Sequence, residues 1–298
     1  MELNQIDSFV ALAEKRSFTE AAKVCGVTRS AVSHQIGELE EEVGALFIRS
    51  NMQLTEAGEI LLRHARKIQH ERQMMAEEVA AAGGRICGTL RIGVGSFVEP
   101  YIRKAANELL KFYPDLVLDV KVEQAKWLNQ KLQSGMLDVA FTLNNAYETE
   151  DIESRPCIPI KICAVVKDTH YLAKEKEISL EDVKKNYLIM PDESSRSFRT
   201  VERFAKASLE DLKPMTRVYI NNADAAFSEV IEMNWMTFST PAHIINKCNL
   251  VAIPIKELNQ DIMCNVHFRK SDAMKNATRA LLNAIETVAI PYFKSIIV

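Results

Sequence analysis

Apolar positions in the first 58 residues recur at helical spacing and are broken by short polar signals. Ile6, Phe9, Val10 and Ala13 share one face of Leu3 to Lys15, the pattern of a helix that buries a single stripe. Ser17 follows, with Glu20 three residues on. That spacing lets a hydroxyl take an orphan amide while the carboxylate reaches back, so a second helix starts there. It runs through Ala21, Ala22 and Val24. Gly26 supplies the positive φ that ends it, and Val27 is expected to dip into the core. Thr28 then caps a third helix. Along it Val32, Ile36, Leu39 and Val43 fall in one narrow arc, Ser30, Ser33, His34 and Gly37 cluster on another, and Arg29 lies at the edge between them.

Residues 59–82 hold no Pro or Gly and read as one long helix. Leu61, Ala65, Ile68, Met75 and Val79 recur at steps of four and three, with Arg72 interrupting, a seam suited to a second helix. At 1.5 Å per residue the rod is ~36 Å long, more than a small domain covers, so the seam is expected to pair with a second copy rather than with its own domain. Gly83 and Gly84 end it and form a hinge. From Gly88 the period changes. Leu90, Ile92 and Val94 alternate as a strand, Val98 to Phe112 follows as a helix, Leu116 to Val122 is a strand, Lys126 to Ser134 a helix and Leu137 to Thr142 a strand. Such units imply parallel sheets covered on both faces. Further strands are expected at Tyr187 to Met190, near Val218, at Met236 to Ser239 and at Leu250 to Ile253. Helices are expected from Ser197, from Ala223 and over Asp272 to Ala289.

Composition adds little except at the amino terminus. The 298 residues are 47% hydrophobic and 26% charged with net charge -3, ordinary for a globular chain of about two domains. No apolar run approaches a membrane span and Met1 to Asn4 opens no signal peptide, which points to the cytoplasm. Cysteines 25, 87, 157, 163, 248 and 264 lack the paired spacing of a zinc site, so no metal is expected; they read as small buried hydrophobes, the sharper alternative being a thiol switch of Cys157 and Cys163. Residues 1–58 carry five Lys or Arg against nine Asp or Glu, a poor electrostatic footprint for nucleic acid. The run Glu38 to Glu42 sits at the far end of the third helix, however, so the end that would enter a major groove is spared.

The stretch from Ser17 through Phe18, Ala21, Ala22, Val27, Ser30, Ser33, Gln35, Ile36, Leu39, Glu40, Gly44, Leu46, Phe47 and Arg49 to Leu54, Thr55, Ala57 and Gly58 resembles the signature of the LysR-type transcriptional regulators. The resemblance implies a multi-domain chain: an all-α winged helix-turn-helix domain (1–58), a linker and dimerisation helix with hinge (59–87), and an α/β periplasmic-binding-protein-like (type 2) effector domain (88–298). That last domain would comprise two Rossmann-like subdomains, I at about 88–160 and 266–298 and II at about 161–265, with Ile158 to Lys167 and Ile262 to Arg269 as crossovers. Implied partners are double-stranded DNA, a small-molecule effector and the chain itself as homodimer or homotetramer, with no cofactor and no membrane. Arg29, Ser30, Ser33 and His34 would approach base edges, Thr28 and Gln35 would support backbone contacts, and Arg49 would clamp a phosphate. The connection Ser50 to Gln53 makes a short wing without the further basic residues common in relatives.

Open parallel sheets bind ligands beyond the carboxyl ends of their strands. Gly95, Ser96 and Phe97 follow the first such strand and begin a helix, so Ser96 is either an anion contact or a helix cap. The resemblance adds Gln124, Ala125, Thr142, Asn144, Glu193 to Ser197 (with Ser195 and Arg196) and Asn222 around the effector. Ala125 stands where many relatives carry a Ser or Thr that grips a carboxylate. The bulky Ile231 to Trp235, where relatives have small residues, is expected to narrow or fill the cleft. The histidines are dispersed and no catalytic motif spacing occurs, so an enzyme is not expected. The alternative is a small-molecule binding module with weak or lost DNA binding.

Overall fold

The computed structural model describes all residues except 49–50, 84, 144–150, 192–211, 259–260, 271–275 and 297–298. The chain divides into two compact units, one spanning Met1–Ala82 and an α/β body formed by Gly83–Gln133 and Leu137–Val298.

The first unit contains α1 (Leu3–Lys15), α2 (Phe18–Cys25), α3 (Arg29–Val43), a two-stranded wing of β1 (Phe47–Ile48) and β2 (Gln53–Leu54), and α4 (Glu56–Ala82). Its core is built from Phe9, Leu12, Ala21, Val32, Leu39 and Leu46, each wholly buried. Two expected core positions lie outside it. Val27 is 40% exposed: its N–H closes on the Ala22 carbonyl at 3.1 Å, and the chain leaves the helix with the side chain outward. Val43 is 39% exposed, because Leu39 is the last residue of α3 to reach the core and Leu46 and Phe47 close it beyond that point. The α4 seam also divides. Leu62 and Ala65 are buried in the unit's own core and Leu61 packs against it, whereas Ile68, Met75 and Val79 are exposed. Leu61 and Ala65 are thus used at home, since α4 lies along α1: Arg72 makes two bonds to Asp7 (2.8 and 3.0 Å), Gln69 donates to Asp7 at 2.6 Å and Arg66 to Glu14 at 3.1 Å.

In the second unit, one lobe has a five-stranded sheet ordered β4-β3-β5-β12-β6, from β3 (Gly88–Val94), β4 (Leu116–Val122), β5 (Val139–Leu143), β6 (Ile152–Ile160) and β12 (Ile262–Arg269). The other lobe has the order β11-β7-β10-β8-β9, from β7 (Cys163–Lys167), β8 (Leu188–Met190), β9 (Thr216–Tyr219), β10 (Met236–Ser239) and β11 (Leu250–Pro254). Strands β3, β4 and β5 are parallel, as are β8, β9 and β10. The returning strands β12, β6, β7 and β11 run antiparallel to their neighbours, so both sheets are mixed rather than purely parallel. The chain crosses at Lys161–Ile162 and returns ahead of Ile262, because β12 pairs with β6 from Ile262 opposite Ile160 and thus belongs to the first lobe along its whole length. Helices α5 (Glu99–Phe112) and α6 (Ala125–Gln133) flank the first sheet. The second lobe carries α7 (Leu180–Val183), α8 (Ala223–Met233) and α9 (Pro241–Ile244). The helix expected from Ser197 lies outside the described residues.

The closing helix is longer than its sequence suggested. It consists of α10 (Asn276–Ala284), a π turn (Ile285–Ala289) and α11 (Ile290–Ile296). Pro291 has no N–H to give, and the widened turn just before it lets the helix continue rather than stop. No described helix is long and apolar enough to cross a membrane.

Candidate nucleic-acid interface and ligand cleft

Helices α2 and α3 of the first unit are bounded by the residues that the pattern singled out. Glu20 N–H donates to Ser17 Oγ at 3.4 Å, Gly26 stands at φ +68° and ends α2, and Ala31 N–H donates to Thr28 Oγ1 at 3.2 Å to start α3. Thr28 and Ser30 hydroxyls are 3.0 Å apart. Arg29, Ser30, Ser33 and His34 are all exposed on the amino-terminal half of α3, one small polar surface with a guanidinium at its edge. Gln35 differs from its neighbours. It is half-buried and its side-chain carbonyl accepts from Ser8 at 2.6 Å, so it ties α3 to α1. Arg49 lies outside the described residues.

The acidic run on α3 has structural work that the sequence did not disclose. Glu40 Oε1 accepts the N–H of Leu46 at 2.8 Å and of Phe47 at 3.2 Å, fixing the chain where it turns into the wing. Glu38 accepts from Gln5 at 3.1 Å and lies 3.4 Å from His34, and Glu42 pairs with the amino terminus at 2.6 Å. Behind the wing, Thr55 donates to the Ala45 carbonyl at 2.8 Å, and Gly58 lets α4 approach: a Cβ there would stand 2.3 Å from the Leu46 carbonyl. Within the turn, Asn51 donates to Gln53 at 2.9 Å, so the two uncharged wing residues hold each other.

In the second unit a cleft of about 750 Å³ lies between the lobes. Ser96, Phe97, Gln124, Ala125, Thr142 and Asn222 all line it; Asn144, Ser195 and Arg196 lie outside the described residues. Ser96 begins a 3-10 turn that runs into α5. Ala125 is the first residue of α6, and Asn222 caps α8 by accepting from Ala225 N–H at 2.9 Å. Thr142 is held from behind: its hydroxyl is 2.9 Å from Nε2 of the fully buried His267, whose Nδ1 is 2.7 Å from Ser154. The segment Ile231 to Trp235 does not narrow the cleft. It lies at the far end of α8, where Trp235 meets Tyr187 edge to face at 5.7 Å.

Charged lining residues that sequence reasoning missed come from both lobes. Arg103 donates to Glu99 at 3.0 Å, His243 Nε2 stands 3.9 Å from Glu99 across the cleft, and Asp224 is ion-paired with Lys247. Burial depresses the His243 pKa to about 4, against the partial opposition of Asp224, and its Nδ1 is 2.9 Å from Ser239 Oγ. Only the fold brings these residues, more than a hundred positions apart, to one place.

Cys157 and Cys163 are ill suited to a thiol switch. Burial raises the Cys157 thiol to about 12 and pushes Cys163 higher still; Cys163 donates to the Ser239 carbonyl. Among the described residues no group of three His, Cys, Asp or Glu could hold a metal ion.

Comparison with known proteins agrees with both halves. Residues 3–59 match the bacterial regulatory helix-turn-helix model of the lysR family, and residues 83–289 match the LysR substrate binding domain. An HTH-type transcriptional regulator of Bacillus subtilis, YvbU, is 30% identical over 260 residues, 83% of this chain and 87% of its own length. A full-length OxyR variant from Pseudomonas aeruginosa has the same fold (TM-score 0.74, 20% identity, 96% of this chain and 98% of that one). So does full-length CbnR complexed with its target DNA (TM-score 0.70, 18% identity, 96% and 99%). With a capped polar helix face in its first unit and a two-lobed cleft in its second, the chain belongs to the LysR family of DNA-binding transcriptional regulators.

Proposed function

We propose that the protein reads an operator through α3 and is switched by a small molecule held between the lobes. Arg29, Ser30, Ser33 and His34 meet base edges, Thr28 and the amide of Gln35 support backbone contacts, and Arg49 clamps a phosphate. The observation that carries this is the exposure of those four α3 side chains together on the capped end of the helix, with Glu40 and Glu42 of the same helix tied elsewhere. Ile68, Met75 and Val79 form an apolar edge on α4 that a second copy covers, and the working form in the cytoplasm is a homodimer or homotetramer. An effector that binds one arrangement of the lobes better than another shifts the equilibrium between them and so alters the spacing of the paired readers.

Arg29 is suited to bidentate contact with guanine, worth about 1 to 3 kcal/mol per base pair. Selection of Arg29→Ala protein on a randomised site library should relax preference at one base pair in each half-site. An unchanged preference defeats the assignment. Binding should weaken with salt, but with a shallow slope, because the acidic unit supplies few phosphate contacts.

A further inference from the structure

Three helix starts face the cleft, and each carries its own acid. Glu99 opens α5, Glu123 stands two residues ahead of α6, and Asp224 lies in the first turn of α8. A carboxylate is the charge that a helix amino terminus favours, and each of these three ends already has one in or beside its first turn. The cations of the lining are committed as well. Arg103 donates to Glu99, Lys247 is paired with Asp224, and Lys131, just behind the wall, is paired with Glu123. His243 is kept neutral at physiological pH by its burial. Among the described lining residues, three carboxylates therefore stand against two cations, both already paired. The remaining polar lining is hydroxyl and amide, from Ser96, Gln124, Thr142 and Asn222, set beside the apolar Phe97 and Leu143.

We infer that this cleft takes an uncharged or cationic small molecule, with hydroxyl, amide or amine groups on a compact apolar body, and discriminates against carboxylate and phosphate effectors. The inference rests on the reading of the cleft as the effector site. A carboxylate entering here meets acids that already hold the nearby cations and finds no uncommitted cation among the described lining residues, so nothing offsets the cost of removing its charge from water. An amine or amide finds acceptors in the same places. Ala125 fits this picture, since its methyl group offers no hydroxyl with which to grip a carboxylate.

The test uses the full-length protein and matched probes of one skeleton, benzamide and benzylamine against benzoate, and nicotinamide against nicotinate. Ligand-observed NMR titrations are run on the wild-type chain and on Gln124→Trp, which fills the cleft from its half-exposed rim. The expected result is that the amides and the amine bind at least about tenfold more tightly than the carboxylates and lose that binding in Gln124→Trp. Carboxylates that bind as well or better, and are displaced by the same substitution, overturn the ligand class while leaving the site in place. If no probe responds to Gln124→Trp, the effector reading itself fails and the class falls with it. A paired Glu123→Gln, Asp224→Asn variant should tighten benzoate binding about tenfold by releasing Lys131 and Lys247. Unchanged benzoate affinity in that variant refutes the electrostatic cause.

Discussion

Truncating Glu40 to alanine should loosen the wing without touching any residue of the DNA-facing surface. The Oε1 atom accepts two backbone N–H groups, from Leu46 at 2.8 Å and Phe47 at 3.2 Å, and both of those residues are buried in the first unit's core. A hydrogen bond to a charged group contributes about 1.5 to 3 kcal/mol, and a buried donor left without an acceptor loses about 1 to 3 kcal/mol. The second bond is long and Glu40 is only half-buried, so the sum for Glu40→Ala is about 3 kcal/mol rather than the full total of two ideal bonds. For a unit of this size each kcal/mol moves the midpoint by about 4 to 8 °C, which places the first calorimetric transition roughly 12 to 24 °C lower. Glu40→Gln keeps an acceptor oxygen but not the charge, and should recover about half of the loss. Hydrogen exchange read at the Leu46 and Phe47 amides localises the effect. Unaltered protection at both amides, or a transition moved by less than about 3 °C, would refute the claim that this carboxylate holds the wing entry.

Gly58→Ala should destabilise the first unit by about 1 to 3 kcal/mol in urea unfolding, because its Cβ would meet the Leu46 carbonyl at 2.3 Å and Leu54 at 3.0 Å; a neutral outcome would mean that α4 can retreat without cost. His243 binds its proton near pH 6.5 when unfolded and near 4 when folded, so its neutral form favours folding fully above about 6.5 and that advantage is lost as the pH falls towards 4. The loss is roughly 3 kcal/mol, and urea midpoints of the wild type should fall more between pH 7 and 4.5 than those of His243→Gln. Alkylation followed by mass spectrometry should modify exposed Cys248 first and Cys157, Cys163 and Cys264 last, and peroxide should leave DNA binding unchanged; early oxidation of Cys157 would contradict its burial.

The sequence alone was enough for elements whose signals are local. Ser17, Gly26 and Thr28 stop and start helices through bonds to residues at most four positions away, so their spacing predicted α2 and α3 directly. The alternation of Leu90, Ile92 and Val94 likewise marked β3 as a strand, and a capped helix with a polar arc already indicated a surface for DNA. Tertiary structure decided whatever depends on partners far along the chain. Val27 and Val43 are apolar and close to helices that bury a stripe, yet the turn after Gly26 leaves Val27 outward and Leu46 and Phe47 close the core beyond Leu39 without Val43. Leu61 and Ala65 fit a two-helix seam by period, but α1 claims them, because Asp7 and Glu14 draw the arginines of α4 onto it. The direction of β12 and the charges of the cleft were equally hidden, since strand pairing and the meeting of Glu99 with His243 are set by how two sheets are threaded, a long-range choice that no window of neighbouring residues encodes.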